Sequence, residues 1–221
     1  AMLLDQTDRL HALLLEDLDK SGAQLVIHLG DLTCGGGFFN MPPAAFSPLM
    51  FRLRSDFAAL HMPVHALPGN HDTPPQLGGW TQFETLWGLE PGLGATIDLD
   101  GVRLLLINAQ GHDAGQIRDA LPCDPIYGWV SDAELARVDQ ALSDAGGRPV
   151  LAFIHQLLHP WRTLEHPWKP YYGVRNAASL LAVLGRRPTV RALFQGHAHR
   201  YEQGRLQSNG FDALSVLAPA V

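Results

Sequence analysis

The chain has 221 residues, ordinary apolar content (46%) and a net charge of −6, which suits one α/β domain with a sizeable core and no need of a disulfide staple. The acidic balance argues against a nucleic-acid-binding surface, and no apolar run reaches membrane-spanning length, while a phosphorylated small molecule stays open because metal ions supply positive charge locally. Cys34 and Cys123 read as free thiols, and Ala1-Met2-Leu3-Leu4 lacks a basic leader and apolar core, so the expected location is the cytoplasm unless a leader has been removed.

Leu3, Leu4, Leu10, Leu13, Leu14 and Leu18 recur at helical spacing, so the first element is an amphipathic helix ended near Ser21-Gly22. Leu25 to Leu29 reads as a buried strand, closed by Gly30-Asp31. The pattern predicts a helix over 47–60, a short strand over 63–67 bounded by Pro68-Gly69-Asn70-His71-Asp72, and a short helix from Phe83 to Trp87. Thr96 to Leu99, Asp100-Gly101 and Val102 to Ile107 read as a hairpin. It runs into a polar loop holding His112 and Asp113, which are candidate site residues but are read in preference as loop residues. Ser131-Asp132-Ala133-Glu134 resembles a capping box and opens a helix that Gly146-Gly147 ends. Pro149 to Ile154 is another buried strand, ended by His155. Residues 159–175, with Trp161, Trp168, Tyr171, Tyr172 and Arg175, form an aromatic-rich insertion. A helix from Asn176 to Leu184 and a strand from Val190 to Phe194 lead into Gln195-Gly196-His197-Ala198-His199, and strand pieces at 204–206 and 213–217 close the chain. With no repeat or linker, residues 1–221 read as one domain.

Four short stretches carry the chemistry: Gly30-Asp31, Gly69-Asn70-His71-Asp72, His155 and Gly196-His197-Ala198-His199. Each follows an apolar strand, and open α/β sheets gather ligands at the carboxyl ends of their strands. Asp31 offers two carboxylate oxygens, Asn70 a carbonyl oxygen, and His155, His197 and His199 imidazole nitrogens. A mixed oxygen and nitrogen set without thiolate suits divalent ions such as Mn, Fe, Zn or Co. Two such ions hold a water, lower its pKa and clamp a phosphoryl oxygen, so that a metal-activated hydroxide attacks phosphorus. His71 lies beside a ligand and is free to act as general acid; Asp72 either orients it or caps the next turn.

Together these motifs, in this order, resemble the calcineurin-like metallophosphoesterases over nearly the whole chain. The resemblance implies a four-layer α/β/β/α sandwich of two mixed sheets flanked by helices, with a dinuclear site at the sheet edge. It implies that Asp31 bridges both ions, that Asn70, His155 and His197 complete one shell, that His199 serves the other ion, and that His71 is the catalytic acid. Gly128-Trp129-Val130 and the strand leading into His155 further resemble the branch containing cyclic-nucleotide phosphodiesterases and ADP-ribose pyrophosphatases. The expected activity is metal-dependent hydrolysis of a phosphodiester, pyrophosphate or nucleotide-type substrate, with Mn, Fe or Zn as cofactor and Trp161, Tyr172 and Arg175 as substrate contacts.

One feature of the family is missing from the sequence. Members open with a strand carrying Asp-x-His, and Asp8 and His11, three apart in a helical pattern, do not replace it. The first strand is therefore expected to be absent through truncation of the chain or gene model. A strand exchanged between copies, or a natural one-metal variant, would account for the same gap. The rival function is a metal- or nucleotide-binding variant without turnover.

Overall fold

The computed structural model describes residues 6–35, 41–74, 79–120, 127–160 and 168–218, with 118–120 described as backbone alone. It has two sheets. Strands β1 (Val26–His28) and β2 (Val64–Ala66) form a small parallel pair, in register from Val26 opposite Val64 to His28 opposite Ala66. Six strands form the second sheet: β3 (Ala95–Leu99), β4 (Val102–Ile107), β5 (Val150–Ile154), β6 (Val190–Gln195), β7 (Glu202–Ser208) and β8 (Phe211–Leu217), in the order β3-β4-β5-β6-β8-β7. Its four central strands are parallel, and β3 and β7 run antiparallel at the two edges.

Burial explains the layering. In β4, Leu104 and Leu106 face the small sheet, where they pack with Ile27, Leu67, Leu151 and Phe153. Leu105 and Ile107 point the other way and pack with α5 (Asp132–Asp144) and α6 (Ala177–Gly185) through Val138, Leu142, Leu180 and Leu184. A strand covered on both faces needs a continuous apolar run, which is what Val102 to Ile107 supplies. On the outer side of the small sheet, Ala66 packs with Phe46 and Met50 of α2 (Pro43–Ala58) and Phe83 of α3 (Thr81–Leu86). The result is the expected sandwich of helices, two sheets and helices.

Helix α1 (Thr7–Lys20) follows the predicted period but buries none of its residues, and Leu10 and Leu13 remain on the surface. Helix α2 starts at Pro43, four residues before the predicted start, because proline is well tolerated in the first helical turn. Helix α4 (Ala114–Ala120), which the apolar pattern does not predict, follows the polar loop. The two closing strand pieces are longer than predicted and form a hairpin through Asn209-Gly210, where both residues have positive φ (50° and 82°) as a two-residue type I′ turn requires. The capping box is half realised. Ser131 Oγ accepts the Glu134 N–H at 3.1 Å, but the Glu134 carboxylate turns inward to accept the N–H groups of Gly94 and Asn108 and to pair with Arg137.

Candidate metal centre

The parallel strands deliver their following loops to one place. Glycines allow the approach: a Cβ on Gly69 would lie 2.1 Å from Asp31 Oδ1 and 2.3 Å from its backbone nitrogen, and one on Gly30, at φ +107°, would lie 2.5 Å from the Gly69 nitrogen. Only hydrogen fits between these two loops.

Asp72 locks the loops together. Its Oδ2 accepts the N–H groups of Asp31 (2.8 Å) and Gly69 (2.9 Å), and its Oδ1 accepts that of Thr33 (3.1 Å). The carboxylate is fully buried and its oxygens serve the backbone, so its geometry matches a loop cap rather than an orienting partner for His71. Of the two roles considered for Asp72, these contacts are those of the cap. Burial, then the nearby charge of Asp31, push the Asp72 carboxyl up to about 7, against the pull of the Gly69 and Thr33 N–H groups. Asp31 itself stands at φ 58°, and His197 and His199 at 62° and 51°. Side chains other than glycine in this region cost about 1 kcal/mol each, so three of the candidate ligands sit in loops that the surrounding contacts must hold.

Asp31, His155 and His197 bring ligand atoms within 4.8 Å of one another. His155 Nε2 lies 3.2 Å from Asp31 Oδ2 and 3.1 Å from Asn70 Oδ1. Its Nδ1 faces the Leu29 carbonyl at 2.8 Å, which places a hydrogen on Nδ1 and directs the Nε2 lone pair at two oxygen acceptors. Three lone pairs meeting without a donor is the environment of a cation, and separations near 3 Å are those of adjacent ligands on an ion with bonds of about 2.1 Å. The donor set therefore fits a divalent metal. The same contacts act on His155 itself: burial disfavours its imidazolium, but the Asp31 charge, its hydrogen bond and the Leu29 carbonyl outweigh this and raise its pKa. For Asp31 burial likewise opposes ionisation, and His155, His71 and His197 outweigh it, holding the carboxyl below the usual range. Burial and the neighbouring His155 depress His197 to about 3, which keeps its imidazole neutral as a ligand must be. Its Nε2 is 3.1 Å from the Tyr171 carbonyl, which leaves Nδ1 as the lone-pair atom.

His71 stands at the rim. Its backbone N–H donates to Asp31 Oδ1 at 2.9 Å and its Nδ1 lies 3.3 Å from the Gly35 carbonyl. Thr33, nearly fully buried, donates its hydroxyl to the His71 carbonyl at 3.0 Å. His199 is exposed and lies outside the cluster formed by Asp31, His155 and His197. Tyr172 places its ring 5.6 Å from that of His197 and packs, with Trp168, on Leu157 and Leu217. The described part of the insertion is pinned by backbone bonds joining Leu157 with Tyr172 and Val174, and Gly128 with Gly173 and Arg175. Arg175 stacks its guanidinium 3.3 Å from the centroid of Tyr127, whose hydroxyl donates to Asp113. Its described contacts are therefore with the loop rather than with the metal-type ligands. Trp161 lies outside the described residues, as does Cys123, and the Cys34 thiol is free.

Two further residues support the site, of which Trp80 carries no signal in the sequence. Trp80, fully buried, donates its indole N–H to the Gly69 carbonyl at 2.8 Å and meets the ring of His112 edge-on. His112, at φ 57°, pairs through Nε2 with the buried Glu84 carboxylate at 2.9 Å. Nothing in the local pattern around Gly79-Trp80 marks this role, because the contact spans eleven residues and two loops. Trp80→Phe removes the indole donor and leaves the Gly69 carbonyl with only the Asp72 N–H at 3.3 Å; it is expected to cost about 1 kcal/mol in urea denaturation and to weaken metal binding.

A pH effect arises beneath the site. His28 accepts the Gly30 N–H on Nδ1 at 3.1 Å and packs on Phe57. Burial, opposed by Asp31 and reinforced by His155 and His11, depresses it to about 4 from an ordinary 6.5. Between these values the unfolded chain binds more protons, so the His28 contribution to stability is intact above the ordinary value and is lost as pH falls toward 4. His28→Asn, which keeps an acceptor at the δ position, is expected to flatten this part of the stability–pH curve in metal-free denaturation series.

Comparison with known proteins agrees with this geometry. Residues 4–201 match the family model of the calcineurin-like phosphoesterases. A glycerophosphodiester phosphodiesterase of Enterobacter lignolyticus is 31% identical over 155 residues, covering 66% of this chain and 48% of that protein. A probable cyclic nucleotide phosphodiesterase of a Pseudoalteromonas species is 28% identical over 190 residues, covering 86% and 61%. A dimetal phosphatase from Danio rerio superposes with a TM-score of 0.66 at 17% identity, over 97% of this chain and 78% of that one, which shows a shared fold. The chain spans about half the length of the first of these relatives. With the family model matched over most of its residues, the chain belongs to the calcineurin-like phosphoesterase family.

Proposed function

We propose that the protein is a divalent-metal-dependent phosphodiesterase acting on a small phosphorylated molecule, of the glycerophosphodiester or cyclic-nucleotide type for which its relatives are named. The observation that carries this reading is the meeting of the Asp31, Asn70 and His155 lone pairs, with His197 completing the set and His71 at the rim. When bound, a divalent ion supplies Lewis acidity toward a phosphoryl oxygen and acidifies a coordinated water. Asp31, Asn70, His155 and His197 would hold the first ion, and Asp31 with His199 would contribute to a second. Manganese, iron and zinc all suit the donors.

The protein's own part is proton handling and orientation. With Nδ1–H directed at the Gly35 carbonyl, the His71 ring is aimed and its Nε2 is the atom that delivers a proton to the leaving oxygen. The Asp31–His71 backbone bond and the Thr33 hydroxyl keep that ring at a fixed offset from the ligands. Tyr171 and Tyr172 of the 159–175 insertion border the centre from the His197 side and are the proposed substrate wall, within one domain.

The test is manganese-dependent hydrolysis of bis(p-nitrophenyl) phosphate, with elemental analysis of metal per chain. His71→Asn is expected to lower turnover on the order of 10²–10³-fold with metal content unchanged. The second reading, a metal- or nucleotide-binding variant, draws on the exposure of His199 outside the cluster. Metal uptake without hydrolysis by the unaltered chain would establish it and end the catalytic proposal.

A further inference from the structure

A cavity of about 260 Å³ lies at the opposite edge of the large sheet from the metal centre, lined among others by Arg187, Arg191, Arg205 and Phe211. It opens where β6 begins, and the five residue steps from Val190 to Gln195 put it about 17 Å along the strand from the loop bearing His197. The chain as a whole carries −6, yet three arginines line this space with Asp212 as the one carboxylate of the lining. Asp212 pairs with Arg205 at 2.5 Å. The neighbouring Arg186 pairs with Asp139, away from the cavity. Arg187 and Arg191 have no carboxylate partner among the described residues.

Arg191 lies at a local irregularity of the sheet. Val150 is opposite Val190 and Leu151 opposite Ala192, so Arg191 is an extra residue in the ladder. Its side chain lies on the exposed face, between the buried Val190 and Ala192. Leu184, Pro188, Val190 and Phe211 add an apolar floor. The C-terminal end of α6, at Gly185, borders the same space, and a helix C-terminus repels anions. Attraction must therefore come from the guanidinium groups, whose planar forks match phosphate oxygens in bidentate pairs.

We propose that this cavity is a binding site for a diphosphate group, gripped by Arg187 and Arg191 with Arg205 at its rim, separate from the metal centre. Two arginines without carboxylate partners suit two linked phosphoryl groups better than a single one.

The test is calorimetric titration of the full chain, without added metal, with pyrophosphate and in parallel with a nucleoside diphosphate. Arg187→Gln/Arg191→Gln is expected to weaken binding on the order of a hundredfold, to leave the melting temperature and phosphodiester hydrolysis unchanged, and to remove most of the salt dependence. Asp31→Asn is expected to bind the diphosphate as the unaltered chain does, so failure of the phosphodiesterase reading would leave this site standing. Tighter binding of the nucleotide would place its base on the apolar floor; equal binding would assign recognition to the diphosphate alone. The proposal is overturned if the double variant binds as before, if Asp31→Asn abolishes binding, or if neither ligand binds at roughly millimolar concentration.

Discussion

Asp31→Asn is expected to abolish metal uptake and to lower phosphodiester hydrolysis by roughly a thousandfold, about 4 kcal/mol of transition-state stabilisation. The substitution preserves shape and an oxygen that can still accept the His71 N–H, now made at 2.9 Å. What it removes is the negative charge that faces His155 Nε2 at 3.2 Å and converges with Asn70 and His197. A metal at a hundred times its dissociation constant stabilises a protein by about 2.7 kcal/mol. The unaltered chain should therefore melt at higher temperature with manganese than with chelator, and the variant should melt alike in both. The metal-free variant is not expected to be strongly destabilised, because loss of the Asp31 charge relieves the repulsion that helps push Asp72 up to about 7. A variant that still gains stability from manganese would show that the ion is held elsewhere.

Gly69→Ala is expected to cost about 3 kcal/mol of stability and to abolish metal binding in the same stroke. The added methyl would stand 2.1 Å from Asp31 Oδ1 and 2.3 Å from the Asp31 nitrogen, neither of which is a free-swinging chain end. The carboxylate is held by the His71 N–H and the nitrogen by Asp72. Relief requires the two loops to part, which breaks the Asp72 clamp and separates Asn70 from Asp31. Gly147→Ala is the matched control for stability. That glycine also has a positive φ of 91° but meets nothing within 4 Å, so it should lose some stability and keep its metal. Chemical denaturation and elemental analysis of both variants separate the two effects. Retention of metal by Gly69→Ala would mean that the close approach of the loops is not what assembles the centre.

Much of the architecture is legible along the chain because periodicity and punctuation are local. Val102 to Ile107 announces a strand covered on both faces, and it packs on Ile27 through Leu104 and on α5 and α6 through Leu105 and Ile107. Asp100-Gly101 and Ser131 announce a turn and a helix start within four residues of the contacts they make. Asn209-Gly210 carries the same kind of signal for a hairpin, although the apolar residues around it suggest only two separate strand pieces. The four strand-ending motifs are legible as a group, because strands that run parallel deliver their carboxyl ends to a common edge.

The roles of individual side chains depend on contacts that no local pattern encodes. Asp31 and Asp72 both stand in strand-ending motifs opened by glycine, and the role of Asp72 stays open in the sequence. Asp72 spends its oxygens on N–H groups 41, 39 and 3 residues away and becomes a clamp, while Asp31 turns an oxygen to His155. Arg175, by its sequence setting a phosphate contact, stacks on Tyr127; Trp80, in an unremarkable loop, holds the Gly69 carbonyl. Sequence alone determined where backbone direction changes and which donors follow each strand, since hydrogen bonding and burial within a segment set these. Only the tertiary structure decided which lone pairs remain unspent, because that depends on which N–H groups from distant loops arrive first at each oxygen.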